Sequence, residues 1–236
     1  MAGVGESRNL GVKPRARQSL LKKYRSRGHR NSNLWLVFSV KTARDWIIDS
    51  DVRLIYWLLY LESHPDVQSF NLEPEIAHSS RGTPRARIDA EVVYQDGHVE
   101  WHRISDTADS DQPSQADQLA DDLAHQFNRP LRILSRSEFS HRNQEAMHWL
   151  TALAYAAVLR HEAHQPTVNA LASLLHQNPA GGTVKDILET LAHHDQAVLL
   201  GTIIRLAIAG TIFLDMTQKP FGYLTEWKAH VAEVAA

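Results

Sequence analysis

"FSVKTARDWIIDSDVRLIYWLLYLESHPDVQSFNLEP" (Phe38–Pro74) and "RARIDAEVVYQDGHVEWHRISD" (Arg85–Asp106) are the stretches whose reading decides the fold. Val52, Ile55, Tyr56, Leu58, Leu59 and Leu61 are more apolar positions than the stripe of a surface helix needs, so this helix should be largely buried. Ser50 or Asp49 suits its N-cap, and Pro65 stops it soon after Glu62. Val67, Phe70, Leu72 and Ile76 then fit an extended segment interrupted at Pro74. "RARIDAEVVY" reads as a strand, "QDG" as a hairpin turn and "HVEWHRI" as the return strand. Asp89 stands at the start of the first of these strands.

Outward from this core, "NLWLVFSV" (Asn33–Val40) suits a short strand or an extended segment. The acidic residues 106–117 read as a loop, and a helix over Asp117–Phe127 leads to "PLRILS", a third and buried strand. Strand, helix and strand on a mixed sheet is an α/β layer architecture. After Ser135 the character changes. Helices are predicted over Asn143–Arg160, Thr167–His176, Thr183–His193 and Gln196–Ala209, followed by Gly210 and the short strand "TIFLDM". Short helices followed by a strand are the plan of a winged-helix module. The organisation predicted is a flexible arm over 1–32, an α/β domain with flanking helices over 33–138, and an all-α, winged-helix-like domain over 139–236.

Composition narrows the function classes. A chain that is 43% hydrophobic and 22% charged is ordinary for a soluble globular protein, and no apolar run is long enough to span a membrane. The absence of cysteine excludes disulfides, thiolate metal sites and cysteine nucleophiles, which makes the cytoplasm the expected compartment. The net charge of −2 hides an asymmetry. Residues 1–30 carry Arg8, Lys13, Arg15, Arg17, Lys22, Lys23, Arg25, Arg27 and Arg30 against Glu6 alone. The remainder has 16 basic and 26 acidic residues. A basic arm on an acidic body is a footprint of phosphate-backbone binding.

The same stretches resemble the N-terminal domain of TnsA, the endonuclease subunit of heteromeric transposases. "IIDSDVR" is similar to that family's "ES-x-L-E", "LLYLESHPDVQSFNLEP" to its "LLE-x-DP-x-V-x-x-F-x-x-QP", and "RARIDAEVVYQDG" to its "Y-x-PDF-x-V-x-x-DG". "GTIIRLAIAGTIFLDMTQKPFGYLTEW" resembles the family's C-terminal winged-helix end, so the likeness covers about Trp35–Trp227. It implies a restriction-endonuclease-like (PD-(D/E)XK-type) core, Mg²⁺, and DNA, transposase and AAA+ ATPase partners. It also implies a bacterial, nucleoid-associated setting on a mobile genetic element and is compatible with a homodimer.

Residue by residue, the strand-start aspartate of that family falls on Asp89, its helix glutamate on Arg53, and its Q/E-x-K pair on Arg103 and Ser105. Guanidinium is a pure donor and cannot ligate Mg²⁺. The resemblance therefore implies a nuclease core that has lost its chemistry, with Arg53 facing a DNA phosphate, and DNA contacts through Lys13, Arg15, Arg17, Lys22, Lys23, Arg25 and the C-terminal module. The alternative is an active Mg²⁺-dependent endonuclease that cuts transposon 5′ ends. Its relocated site would use Asp51 (or Asp49), Asp89, Glu100 and His102, with Asp89 and Glu100 as metal ligands. Alternation puts Glu100 and His102 on one strand face. "HEAH" (His161–His164) lacks metal-site spacing beyond i, i+3 and reads as a solvated helix end. His193 and His194 suit a helix C-terminus.

Deleting residues 1–30 is expected to weaken binding to duplex DNA and to flatten its salt dependence, measured by fluorescence anisotropy across a salt series. Unchanged affinity and slope would remove the arm from DNA binding.

Overall fold

The structure, a computed structural model, describes residues 33–74, 87–105, 113–160 and 162–229. The chain begins with a hairpin, β1 (Trp35–Ser39) and β2 (Arg44–Ile48), paired antiparallel as a separate two-stranded sheet. Helix α1 (Asp51–Tyr56) follows and continues as a π-helical segment over Trp57–Glu62. Then come β3 (Val67–Asn71), β4 (Ala90–Tyr94), β5 (Val99–Ile104), α2 (Gln115–Gln126) and β6 (Leu131–Leu134). The four strands form a mixed sheet in the order β3-β4-β5-β6, antiparallel except for the parallel β5–β6 pair that α2 connects.

Side-chain alternation along β5 sorts its residues between two layers. Ala90, Val92 and Ile104 join the main core with Tyr56 and Leu58 from the helical segment. Ile88 and Trp101 form a second, smaller cluster with Ala120 and Ala124 of α2. The sheet is thus covered by α1 on one face and α2 on the other, an α/β arrangement. The strand β6 is an edge, with Arg132 and Ile133 exposed, and not the buried strand that its apolar run suggests.

The hairpin β1–β2 is held from a distance. Glu62 is fully buried, and its carboxylate accepts from Ser39 Oγ (2.7 Å), Val40 N (2.6 Å) and Lys41 N (3.3 Å). Burial raises the Glu62 pKa, against these bonds and the nearby Lys41 ammonium. Desolvation in turn brings Lys41 down to about 8.

The C-terminal region is helical: α3 (Ser137–Ser140), α4 (Asn143–Leu159), α5 (Gln165–Gln177), α6 (Val184–Thr190) and α7 (Gln196–Ile208). It ends in a small sheet of β7 (Gly182–Thr183), β8 (Ile212–Leu214) and β9 (Glu226–Ala229), ordered β7-β9-β8. Capping boxes start two of the helices, Ser114 with Asp117 for α2 and Thr183 with Asp186 for α6. One apolar cluster runs from Val37 to Trp227, so the helical region shares the core of the α/β region. Among the described residues, no helix is long and apolar enough to cross a membrane.

α4 and α7 pack so closely that only glycine fits at the crossing. A Cβ on Gly201 would lie 2.7 Å from Leu159 Cδ1 and 2.8 Å from the Tyr155 carbonyl oxygen. Gly201→Ala is therefore expected to cost about 1–3 kcal/mol, read as a lowered urea midpoint, despite the better helix propensity of alanine. A midpoint at or above the wild-type value would contradict this packing.

Candidate functional site

Asp89 enters the sheet just before β4, where its backbone N–H donates to the His102 carbonyl (2.8 Å). Its side chain is only 4% exposed, and both oxygens are occupied. Oδ2 accepts the Ile104 N–H at 2.8 Å. Oδ1 takes the Arg53 Nη2 of α1 in an ion pair and meets Arg87 Nε at 3.2 Å. The other terminal nitrogen of Arg53 donates to Asp49 Oδ1 at 3.0 Å. A buried carboxylate needs a counter-charge and donors, and here one guanidinium ties two carboxylates across helix and sheet. The adjoining cavity, lined by Arg53, Tyr56, Asp89 and Ile104 among others, measures about 50 Å³. That is room for a few waters and not for a nucleotide.

Glu100 and His102 lie elsewhere on β5. Glu100 is opposite Val92, three residues along β4 from Asp89, which is about 10 Å at the usual strand rise. Its Oε2 accepts from Tyr94 OH (2.9 Å) and lies 3.1 Å from His102 Nε2. His102 Nδ1 meets Tyr56 OH at 2.8 Å. A carboxylate can only accept, so the proton of neutral His102 sits on Nε2 and Tyr56 donates to Nδ1. Burial lowers the His102 pKa and Arg132 lowers it further, while Glu100 opposes them. Burial raises Tyr56 well above its ordinary value; burial and the Glu100 bond bring Tyr94 to about 12. The cluster is a hydrogen-bonded chain with both phenols protonated. Tyr56 and Tyr94 carry it, and nothing in their sequence context marks them beyond α1 spacing and the position before the hairpin turn.

The other sequence candidates separate further. Asp51 accepts from Trp35 Nε1 (2.8 Å) and Asn33 Nδ2 (3.2 Å), binding the start of β1 to α1. Arg103 and Ser105 turn to α2, where Arg103 Nε (2.5 Å) and Ser105 Oγ (2.7 Å) donate to the buried Asp117. His194 meets Thr167 Oγ1 at 3.1 Å. Lys13, Arg15, Arg17, Lys22, Lys23 and Arg25 lie outside the described residues, as does His161.

Mg²⁺ takes near-octahedral oxygen ligands at about 2.0–2.1 Å. The surroundings of Asp89 do not fit that requirement. They offer two guanidiniums and a backbone N–H at its oxygens; of the candidate second ligands, Asp49 is bonded to Arg53, and Glu100 to Tyr94 and His102. Among the described residues, no three His, Asp or Glu side chains converge as a metal group. Compared with known proteins, the chain matches no family model and no curated sequence.

A folded-state pKa below the ordinary value means that His102 takes up a proton on unfolding as the pH falls below about 6.5, so its contribution to stability is lost on acidification. His102→Gln is expected to flatten the fall in urea midpoint between neutral and mildly acidic pH. Parallel pH profiles for the two proteins would contradict a buried, neutral His102.

Proposed function

We propose that this chain is a DNA-associated, non-cleaving subunit: a TnsA-like protein whose restriction-endonuclease-like core has become a scaffold within a transposition system. The observation that carries the reading is the Arg53 guanidinium seated on the Asp89 carboxylate between α1 and β4. In a metal-dependent nuclease core a cation neutralises that carboxylate and activates water on a phosphate. Arg53 supplies the neutralisation and cannot supply the water chemistry. The layout supports the ancestry: a helix, a strand-start aspartate, an antiparallel hairpin and a parallel fourth strand follow in order.

The C-terminal sequence of α5, β7, α6, α7, β8 and β9, with sheet order β7-β9-β8, supports a winged-helix reading of that module. Its charges favour a protein over a DNA partner. Residues 165–229 hold Lys185, Arg205, Lys219 and Lys228 against Asp186, Glu189, Asp195, Asp215 and Glu226. Its third helix, α7, lies on α4, and the Arg205 guanidinium of α7 is held by the Glu162 carbonyl (2.7 Å) and that of Arg160. Exposed Phe213, Tyr223 and Leu224 lie on the same module and suit contact with a transposase or ATPase subunit. On this reading the basic arm is the sequence's main DNA contact, and no Mg²⁺ is needed.

The test is nicking of supercoiled plasmid and of transposon-end DNA with Mg²⁺ or Mn²⁺, by the chain alone and with its transposase. No nicking is expected in any combination. Metal-dependent nicking that disappears in Asp89→Ala would replace the scaffold with the relocated-site endonuclease.

A further inference from the structure

Most arginines among the described residues are already engaged. Arg44, Arg53, Arg87, Arg103, Arg142 and Arg160 each meet a carboxylate, and Arg205 meets backbone carbonyls. The exceptions are Arg129, Arg132 and Arg136, which fall within eight residues of each other just before, within and just past the end of β6. All three are exposed, and among the described residues none is paired with a carboxylate. β6 is an edge strand, so its outer side faces no neighbouring strand of the sheet. The nearest acid in sequence, Glu138, is turned inward to accept the Ser135 N–H at 2.7 Å.

Arg132 is preset. Its guanidinium lies 5.2 Å from the centre of the Tyr60 ring and beside the Tyr94 hydroxyl, contacts that position an otherwise exposed cation. The field is not local to β6. His64, at the far end of the π-helical segment, is lowered first by burial and then by Lys41, Arg132 and Arg142, against Asp66. Three cations, from the β1–β2 turn, β6 and the start of α4, thus act on that end of the sheet, on a body whose residues after the arm are acidic overall.

We infer that the open edge of β6 is a contact for the phosphate backbone of duplex DNA, made by Arg129, Arg132 and Arg136. Three guanidiniums spread over at most about 25 Å of chain match a backbone carrying a charge every ~1.7 Å of duplex axis. Recognition there would be by charge and not by sequence, because contacts to phosphates carry no base information. This inference rests on the DNA-associated reading above. It adds a second contact, on the folded body, to the one expected from the arm.

The test compares the full chain with R129Q/R132Q/R136Q in fluorescence anisotropy on a mixed-sequence duplex across a salt series. Thermal melting checks that the exposed substitutions leave the fold intact. The triple variant is expected to bind about tenfold or more weakly, with a salt slope smaller by about two to three and an unchanged melting midpoint. Wild-type binding with identical affinity and slope in the variant would overturn the β6 contact and leave the DNA-associated reading standing. Absence of duplex binding by the wild-type chain would overturn both.

Discussion

A carboxylate at the mouth of a sheet, 4% exposed, must be matched by a cation or lose its charge, and this constraint organises the α/β region. The Asp89 side chain lies between α1 and β4, and Arg53 provides the match from one turn inside the helix. The pairing brings α1 against the sheet, fixes the approach of Asp49, and, through the Ile104 N–H, ties β4 to the far end of β5. In a nuclease core a metal ion would hold the same elements together while remaining able to bind water. A guanidinium holds them and binds no water for attack.

The two faces of β5 then divide the remaining polar chemistry. Glu100 and His102 face the α1 side and close a chain with Tyr94 and Tyr56. Arg103 and Ser105 face α2 and satisfy Asp117, which also accepts the capping bond at the start of that helix. Buried polar groups on both faces are thus consumed by partners within the fold, as buried groups must be. Arg129, Arg132 and Arg136, around β6, stay exposed and meet no carboxylate among the described residues.

Much of the fold was legible in the sequence because local signals agreed with tertiary ones. The apolar density of Val52–Leu61 marked a buried helix, and the alternation around "QDG" marked the β4–β5 hairpin, whose turn uses Gly97 at φ 83°. The β1–β2 hairpin was not legible. Its turn places Ala43, not glycine, at φ 50°, and its free N–H groups are satisfied by Glu62 from about 20 residues away. "PLRILS" looked buried because apolar content does not distinguish an edge strand from a central one. At the site, Asp89, Glu100 and His102 were visible as residue types. Their division into two separate clusters was set by register, which a single sequence specifies only loosely.

The Arg53 guanidinium on Asp89 competes with any divalent cation for that carboxylate. Manganese(II) titration followed by electron paramagnetic resonance tests it most directly, because the signal of free aqueous Mn²⁺ is lost on binding. With Asp89 held by Arg53, the wild-type chain is expected to leave that signal at its full free-ion intensity. Saturable loss of one equivalent of Mn²⁺ that is abolished by Asp89→Asn would contradict it.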